Sequence, residues 1–203
     1  MVNRSFAPDF TRGGIVVLHA WRETQGMRFL PELSRGHLHL LLAPRSIQRP
    51  LLNEFIARLA LRGEVQVLVC GNRFDTHAIA RRLSKHTQAL EAVLARIHLA
   101  RAFTCYQVLS LLRQHRTAVL PTLASDLPDL FSEESLPQTE RLKVFRACLE
   151  ELTPLSRRVQ TLVSAVPAHH PEQQPFIALL QAQAQTIWQF ESLPQSPLQL
   201  RLF

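Results

Sequence analysis

Eight short apolar runs, none longer than eight residues, punctuate this chain and alternate with stretches of helical periodicity. The runs are GIVVLHA (14–20), LHLLLA (38–43), VQVLVC (65–70), ARIHLA (95–100), TAVLPTL (117–123), VQTLVSAV (159–166), TIWQF (186–190) and LQLRLF (198–203). Each is rich in Val, Leu and Ile and bounded by Gly, Pro or charged residues, which reads as a strand. The central runs are apolar at odd and even positions alike. A strand of that kind must be covered on both faces, so it belongs inside a sheet sandwiched by helices.

Between the runs, Pro50 opens a predicted helix in which Leu51, Leu52, Phe55, Ile56 and Leu59 fall at helical spacing, ending before Gly63. Thr76–Leu83, Thr104–Arg113, Gln138–Glu151 and Phe176–Gln185 read as further helices. Repeated strand–helix alternation predicts an α/β fold with a mostly parallel sheet flanked by helices. TIWQF and LQLRLF, separated by ESLPQSP, are expected to form a C-terminal β-hairpin. With 203 residues the chain suffices for one sizeable core and not for two ordinary domains. Residues 1–28 read as an N-terminal strand and lead-in, and 29–203 as a single core domain. The segment PAHHPEQQP (167–175) is a polar loop framed by prolines.

Composition narrows the classes further. No run of about 18 uncharged apolar residues exists, so no membrane span is expected. The start, MVNRSFAPDFTRGG, lacks an apolar signal core and reads as mature protein. Cys70, Cys105 and Cys148 are too sparse for a disulfide framework and form no C-x-x-C pair, which suggests buried reduced thiols and a cytoplasmic protein. Arg outnumbers Lys 21 to 2. Residues 1–116 hold 17 basic against 7 acidic side chains, whereas residues 117–203 hold 6 against 9. The basic charge is therefore a property of the first half. Clustered arginine is the electrostatic footprint of a polyanion binder, because neutralised phosphates release counterions. Arginines on solvated helix faces would leave the same trace.

The order of these elements, with particular residues, resembles the core of RecA-like recombinase ATPases, above all the archaeal and eukaryotic recombinases and their paralogues. LPELSRG (30–36) before LHLLLA resembles the lead-in to that family's phosphate loop. VLVCGNRFD (67–75) resembles its second core strand and the phenylalanine-containing turn after it. ARAFTCYQVLSLL (100–112) resembles a helix-opening segment in which Arg101, Phe103 and Gln107 match. ERLKVFRACLEELTPLSRRVQTLVSAVP (140–167) resembles the helix and strand before a DNA-contacting loop. The likeness spans about residues 29–191.

It implies a RecA-like, phosphate-loop type fold, yet the residues that would hold a nucleotide are missing. A phosphate loop needs two glycines to wrap the backbone around phosphates, a Lys to bridge them and a hydroxyl for Mg²⁺. Ala43, Pro44, Arg45, Ser46, Ile47, Gln48, Arg49 and Pro50 stand in that place. Ala43 and Gln48 replace the glycines, Arg49 the lysine and Pro50 the hydroxyl. Gly71 stands where the family has its catalytic Glu. Asp126 falls several residues beyond the expected end of the strand that would carry an acid, where Pro121 or Thr122 stand instead. The implied protein keeps the fold without metal-assisted ATP hydrolysis. Arg45, Ser46, Gln48 and Arg49 form a vestigial site, with an anion held at a helix N-terminus as the competing account.

No cofactor and no metal site is expected. His37 and His39 share a strand face without an acidic or cysteine partner. For nucleic acid, Arg58, Arg62, Arg73, Arg81, Arg82 and Lys85 are the candidates in the basic half, with His169, His170, Gln173 and Gln174 in the loop that the resemblance makes DNA-contacting. The loop SDLPDLFSEESLPQT (125–139) is acidic, which disfavours recombinase-like filament contacts with DNA. Phe103 reads as core, Asp75 as a helix N-cap, and Arg101 as able to approach the vestigial site or a neighbouring subunit. The expectation is a non-hydrolytic paralogue in DNA recombination or repair, with DNA, an active recombinase or a second copy of itself as partner. An ATPase with a divergent site and a protein-interaction scaffold without nucleic-acid role remain as alternatives.

Overall fold

A computed structural model describes residues 15–18, 30–71, 74–117, 119–132 and 136–190. Seven strands are β1 (Ile15–Leu18), β2 (Leu38–Leu42), β3 (Val65–Val69), β4 (Ile97–Arg101), β5 (Thr122–Ser125), β6 (Thr161–Ala165) and β7 (Thr186–Phe190). They form one sheet in the order β1-β7-β2-β6-β5-β3-β4, and every ladder is parallel. The helices are α1 (Arg45–Arg62), α2 (Thr76–Leu83), α3 (Leu90–Leu94), α4 (Cys105–Gln114), α5 (Asp129–Ser132), α6 (Gln138–Arg158) and α7 (Gln174–Gln183). Among the described residues no helix is long and apolar enough to cross a membrane.

The doubly apolar strands are buried on both faces, as their sequences require. In β2, Leu38, Leu40 and Leu42 join the core under α4, α6 and α7, while Leu41 joins the core under α1, α2 and α3. In β3, Leu68 falls on the first face and Val65, Val67 and Val69 on the second. This is the period of two that a pleated strand imposes. Phe131, Phe145 and Phe176 meet in the first layer with ring centroids 4.8–5.9 Å apart. On the other face Trp188 lies between His39 and Phe55, with stacked rings 5.0 and 5.5 Å away. Burial holds the His39 imidazole below its ordinary value.

Cys70, Cys105 and Cys148 are buried in the first layer, and among the described residues they form no disulfide. Burial pushes the Cys70 and Cys148 thiols up, Cys148 to about 12.

Several boundaries differ from the sequence reading. Strand β5 begins at Thr122, not Thr117, because Pro121 has no N–H to donate and the ladder forms only past it. Helix α1 begins at Arg45 and carries Pro50 inside it, and α6 continues through Pro154 to Arg158. An internal proline costs about 3 kcal/mol. The fully buried Leu152 and Leu155 in α6, and Leu51 with Phe55 in α1, each contribute roughly 1.5–3 kcal/mol by leaving water, which offsets it. Short α3 and α5 had no counterpart in the sequence reading. Phe103 is 61% exposed and not core: it follows edge strand β4, where Ala102 takes the buried position. Residues 198–203, the second strand of the expected hairpin, lie outside the described residues. Both edges of β7 are taken, by β1 and β2, which leaves no ladder on that strand for a hairpin.

One ion pair fixes α2 on α1. Arg82 Nε donates to Glu54 Oε2 at 3.1 Å, and the Glu54 side chain is only 8% exposed. A buried carboxylate that loses its partner is strongly destabilising. Arg82→Ala should therefore lower unfolding free energy by about 2–3 kcal/mol in urea denaturation, while the neighbouring exposed Arg81→Ala should stay within about 0.5 kcal/mol. Equal effects would show that the pair does not hold the helices together.

Candidate functional site

Parallel sheets present their functional groups at the carboxyl ends of the strands, in the crevice where the chain leaves to opposite faces. Here that crevice lies between neighbouring strands β2 and β6. After β2 the chain enters α1 on one face, and after β6 it runs through residues 166–173 to α7 on the other. A cavity of about 360 Å³ opens there, bounded by Arg45, Asp129, Ser132, His169, His170 and Gln173 among others. The topology thus gathers residues from two of the sequence-derived groups, Arg45 of the vestigial site and three of the 167–175 loop. Gln174 lines a separate shallow cleft beside it.

The connection from β2 to α1 is two residues long, Ala43 and Pro44. Ala43 N–H donates to Ala165, and the Pro44 carbonyl accepts from Ile47 and Gln48 at 2.9 Å each, which closes the first helical turn at once. Arg45, Ser46 and Arg49 are therefore helical and exposed. Arg45 Nη2 donates to Asp129 Oδ2 at 2.7 Å, tying α1 to α5.

Beneath this turn lies an unsatisfied polar pair. Gln48 is 1% exposed, and neither polar atom of its amide has a hydrogen-bond partner of good geometry. Beside it is Asp126, 7% exposed, whose Oδ1 is also unpartnered. Asp126 directly follows β5, so the sequence placement beyond the strand is corrected by the two-residue shift of that strand's end. Its φ of 52° is in the left-handed region, unusual for a residue with a side chain. A Cβ on Gly71 would lie 3.5 Å from the Asp126 Cβ, so Asp126 packs against the end of β3. Burial pushes the Asp126 carboxyl up from the ordinary range and Asp129 adds to it, while Gln48, Arg45 and Arg49 pull it back. Strain, burial and unmet hydrogen bonds on one charged residue mark a functional position more often than a structural one.

The remaining sequence candidates are scattered. Arg58 lies 3.8 Å from Glu32 and donates to the Leu30 carbonyl; with Arg62 it lines a small cavity near the opposite end of α1. Arg73 lies outside the described residues. Arg81 and Lys85 are exposed, on and just after α2, and Arg82 is held by Glu54. Arg101 ends edge strand β4, four strand spacings from β2 and so about 19 Å from the crevice, too far to serve it. Gln107 caps α4: Thr104 Oγ1 accepts from Gln107 N–H, and Gln107 Oε1 accepts from Phe103 N–H. Asp75 caps α2 as expected, accepting from Ala78 N–H at 2.9 Å. His37 precedes β2 and His39 is inside it; among the described residues no group of three metal-binding side chains exists. The acidic loop is split, with Asp126 buried, Asp129 on Arg45, and Glu133 and Glu134 outside the described residues. Sequence reasoning missed the Gln48–Asp126 pair and the Asp129 contact with Arg45; Pro121, which delays β5 and so moves its end to Ser125, was the available signal.

No family model matches the chain, and no curated protein matches it at a significant level.

A carboxyl raised above its ordinary value contributes stability that is complete below about pH 3.9 and lost as pH rises through the folded value. At neutral pH the Asp126 charge is thus a liability. Asp126→Asn tolerates the same backbone and removes the charge, so it should raise unfolding free energy by roughly 1 kcal/mol at pH 7. That gain should vanish near pH 3.5. Urea denaturation at both values checks it; a loss of stability at pH 7 would mean that the arginines, not burial, dominate the site.

Proposed function

We propose that the protein is a RecA-like paralogue that does not hydrolyse nucleotide and serves DNA recombination or repair by binding DNA, alone or beside an active recombinase or a second copy of itself. The all-parallel sheet with helices on both faces is compatible with a phosphate-loop type fold, and the element order and quoted segments resemble that family. The observation that carries the non-hydrolytic reading is the two-residue turn at Ala43–Pro44. Where a glycine loop would wrap phosphates, the backbone is already helical, and the Ile47 and Gln48 N–H groups are spent on the Pro44 carbonyl.

Magnesium and nucleoside triphosphate do not fit this set of residues. Pro50 offers no hydroxyl. Of the carboxylates beside the turn, Asp129 is bonded to Arg45, and Asp126 is buried within the field of Arg45 and Arg49, whose positive charge opposes a cation there. Arginines without lysine at this position keep affinity for phosphate oxygens and lose the geometry of catalysis.

Binding should be electrostatic. Fluorescence anisotropy of a labelled 30-nucleotide strand should show affinity falling about 20-fold between 50 and 200 mM salt, as three neutralised phosphates would give. ATP turnover should stay at background with and without DNA. Turnover that disappears in Arg49→Ala, or the absence of DNA binding, would overturn the reading.

A further inference from the structure

Two groups of arginines more than thirty residues apart in sequence face each other across a single cleft of about 500 Å³ between α1 and α2. Arg45, Arg49 and Asn53 come from the first helix, and Asp75, Arg81 and Arg82 from the second. The cleft is distinct from the strand-end cavity, which it meets only at Arg45.

Its charges are not equivalent. Arg82 is held by Glu54 and Arg45 by Asp129. Arg49 and Arg81 are exposed and carry no ion pair among the described residues. Asp75, the one acid lining the cleft among the described residues, is engaged by the α2 backbone at Ala78 N–H, so its charge sits against a helix N-terminus. Two guanidiniums without an ion pair among the described residues therefore line one cleft, backed by two fixed ones and an amide donor. Cations are opposed there. A phosphate group, with oxygens on several sides, can accept from both guanidiniums together.

We propose that this cleft is a phosphate-binding site whose two jaws are Arg49 and Arg81. Resting on the DNA-binding reading above, the phosphate belongs to a nucleic-acid backbone; a free oligophosphate offers the same chemistry from a second source. Arg82 is a positioning residue that keeps α2 against α1 and so sets the gap. Backbone phosphate contacts of this kind fix register without reading sequence.

The test pairs a cleft variant, Arg49→Ala/Arg81→Ala, with a charge-matched variant on the same basic half and away from the cleft, Arg35→Ala/Arg101→Ala. All four residues are exposed, so thermal melts should match wild type and the comparison isolates binding. With the labelled 30-nucleotide strand, the cleft pair should weaken binding about tenfold or more and flatten the salt slope by about 1.4, and the control pair should do much less. Equal losses in the two pairs, or no loss in the cleft pair, would overturn the cleft while leaving DNA binding in place. Calorimetry with tripolyphosphate separates the sources. If wild type binds tripolyphosphate, the cleft pair does not, and neither binds DNA, the cleft stands as a small-phosphate site and the DNA reading falls. Binding of neither probe by wild type overturns both.

Discussion

Between Leu42, the last residue of β2, and Arg45, the first of α1, the chain has two residues in which to leave the sheet and start a helix. That brevity governs the rest of the carboxyl-end surface. Pro44 supplies an extended backbone with φ already near the helical value, its carbonyl accepts from the Ile47 and Gln48 N–H groups, and Arg45 is committed to the helix. Side chains at 45, 46 and 49 then face outward, and Gln48 must face inward. A longer, glycine-rich connection would have left backbone N–H groups free to surround an anion. Here only the Arg45 and Ser46 amides at the start of α1 are left over, so recognition of an anion falls largely to side chains, and arginine is the side chain present.

The same geometry accounts for a destabilising feature at this end of the sheet. Turning Gln48 inward brings an amide with no partner of good geometry beside Asp126, itself strained and pushed toward its protonated form. Packing alone would favour an apolar pair at these positions. Arg45 links this buried pair to the surface, because it meets Asp129 while lining both the strand-end cavity and the α1–α2 cleft. A ligand phosphate competing for Arg45 would loosen its bond to Asp129 and change the field at Asp126, so the two clefts share one electrostatic element.

Much of the fold was legible because a strand covered on both faces has no room for polar alternation. LHLLLA and VQVLVC announce themselves by composition alone. The boundaries were less legible where proline was involved. Pro50 carries the signature of a helix start, yet α1 is already more than a turn old there, held by apolar contacts that sequence spacing does not weigh against the ring. Pro121 delays β5, and that delay alone decides whether Asp126 reads as a stray loop acid or as the residue at the strand's end. Phe103 read as core because it is aromatic, but the edge position of β4 depends on strand order, which no local pattern contains. The gathering of Arg49 and Arg81 on one cleft and of Arg45 and His169 on another was equally out of reach: both arise from helix packing and from the point where the chain changes face. By contrast, Asp75 needed only its neighbours to be read as a cap, and the structure agrees.

Growing crystals with millimolar ATP and magnesium tests the central claim most directly, because it reports the backbone of residues 43–50 itself. The account predicts that α1 still begins at Arg45, with the Pro44 carbonyl bonded to Ile47 and Gln48 and no triphosphate wrapped by this turn. An unwound 43–50 segment with its N–H groups on the β-phosphate and an ordered magnesium beside Asp126 would contradict it.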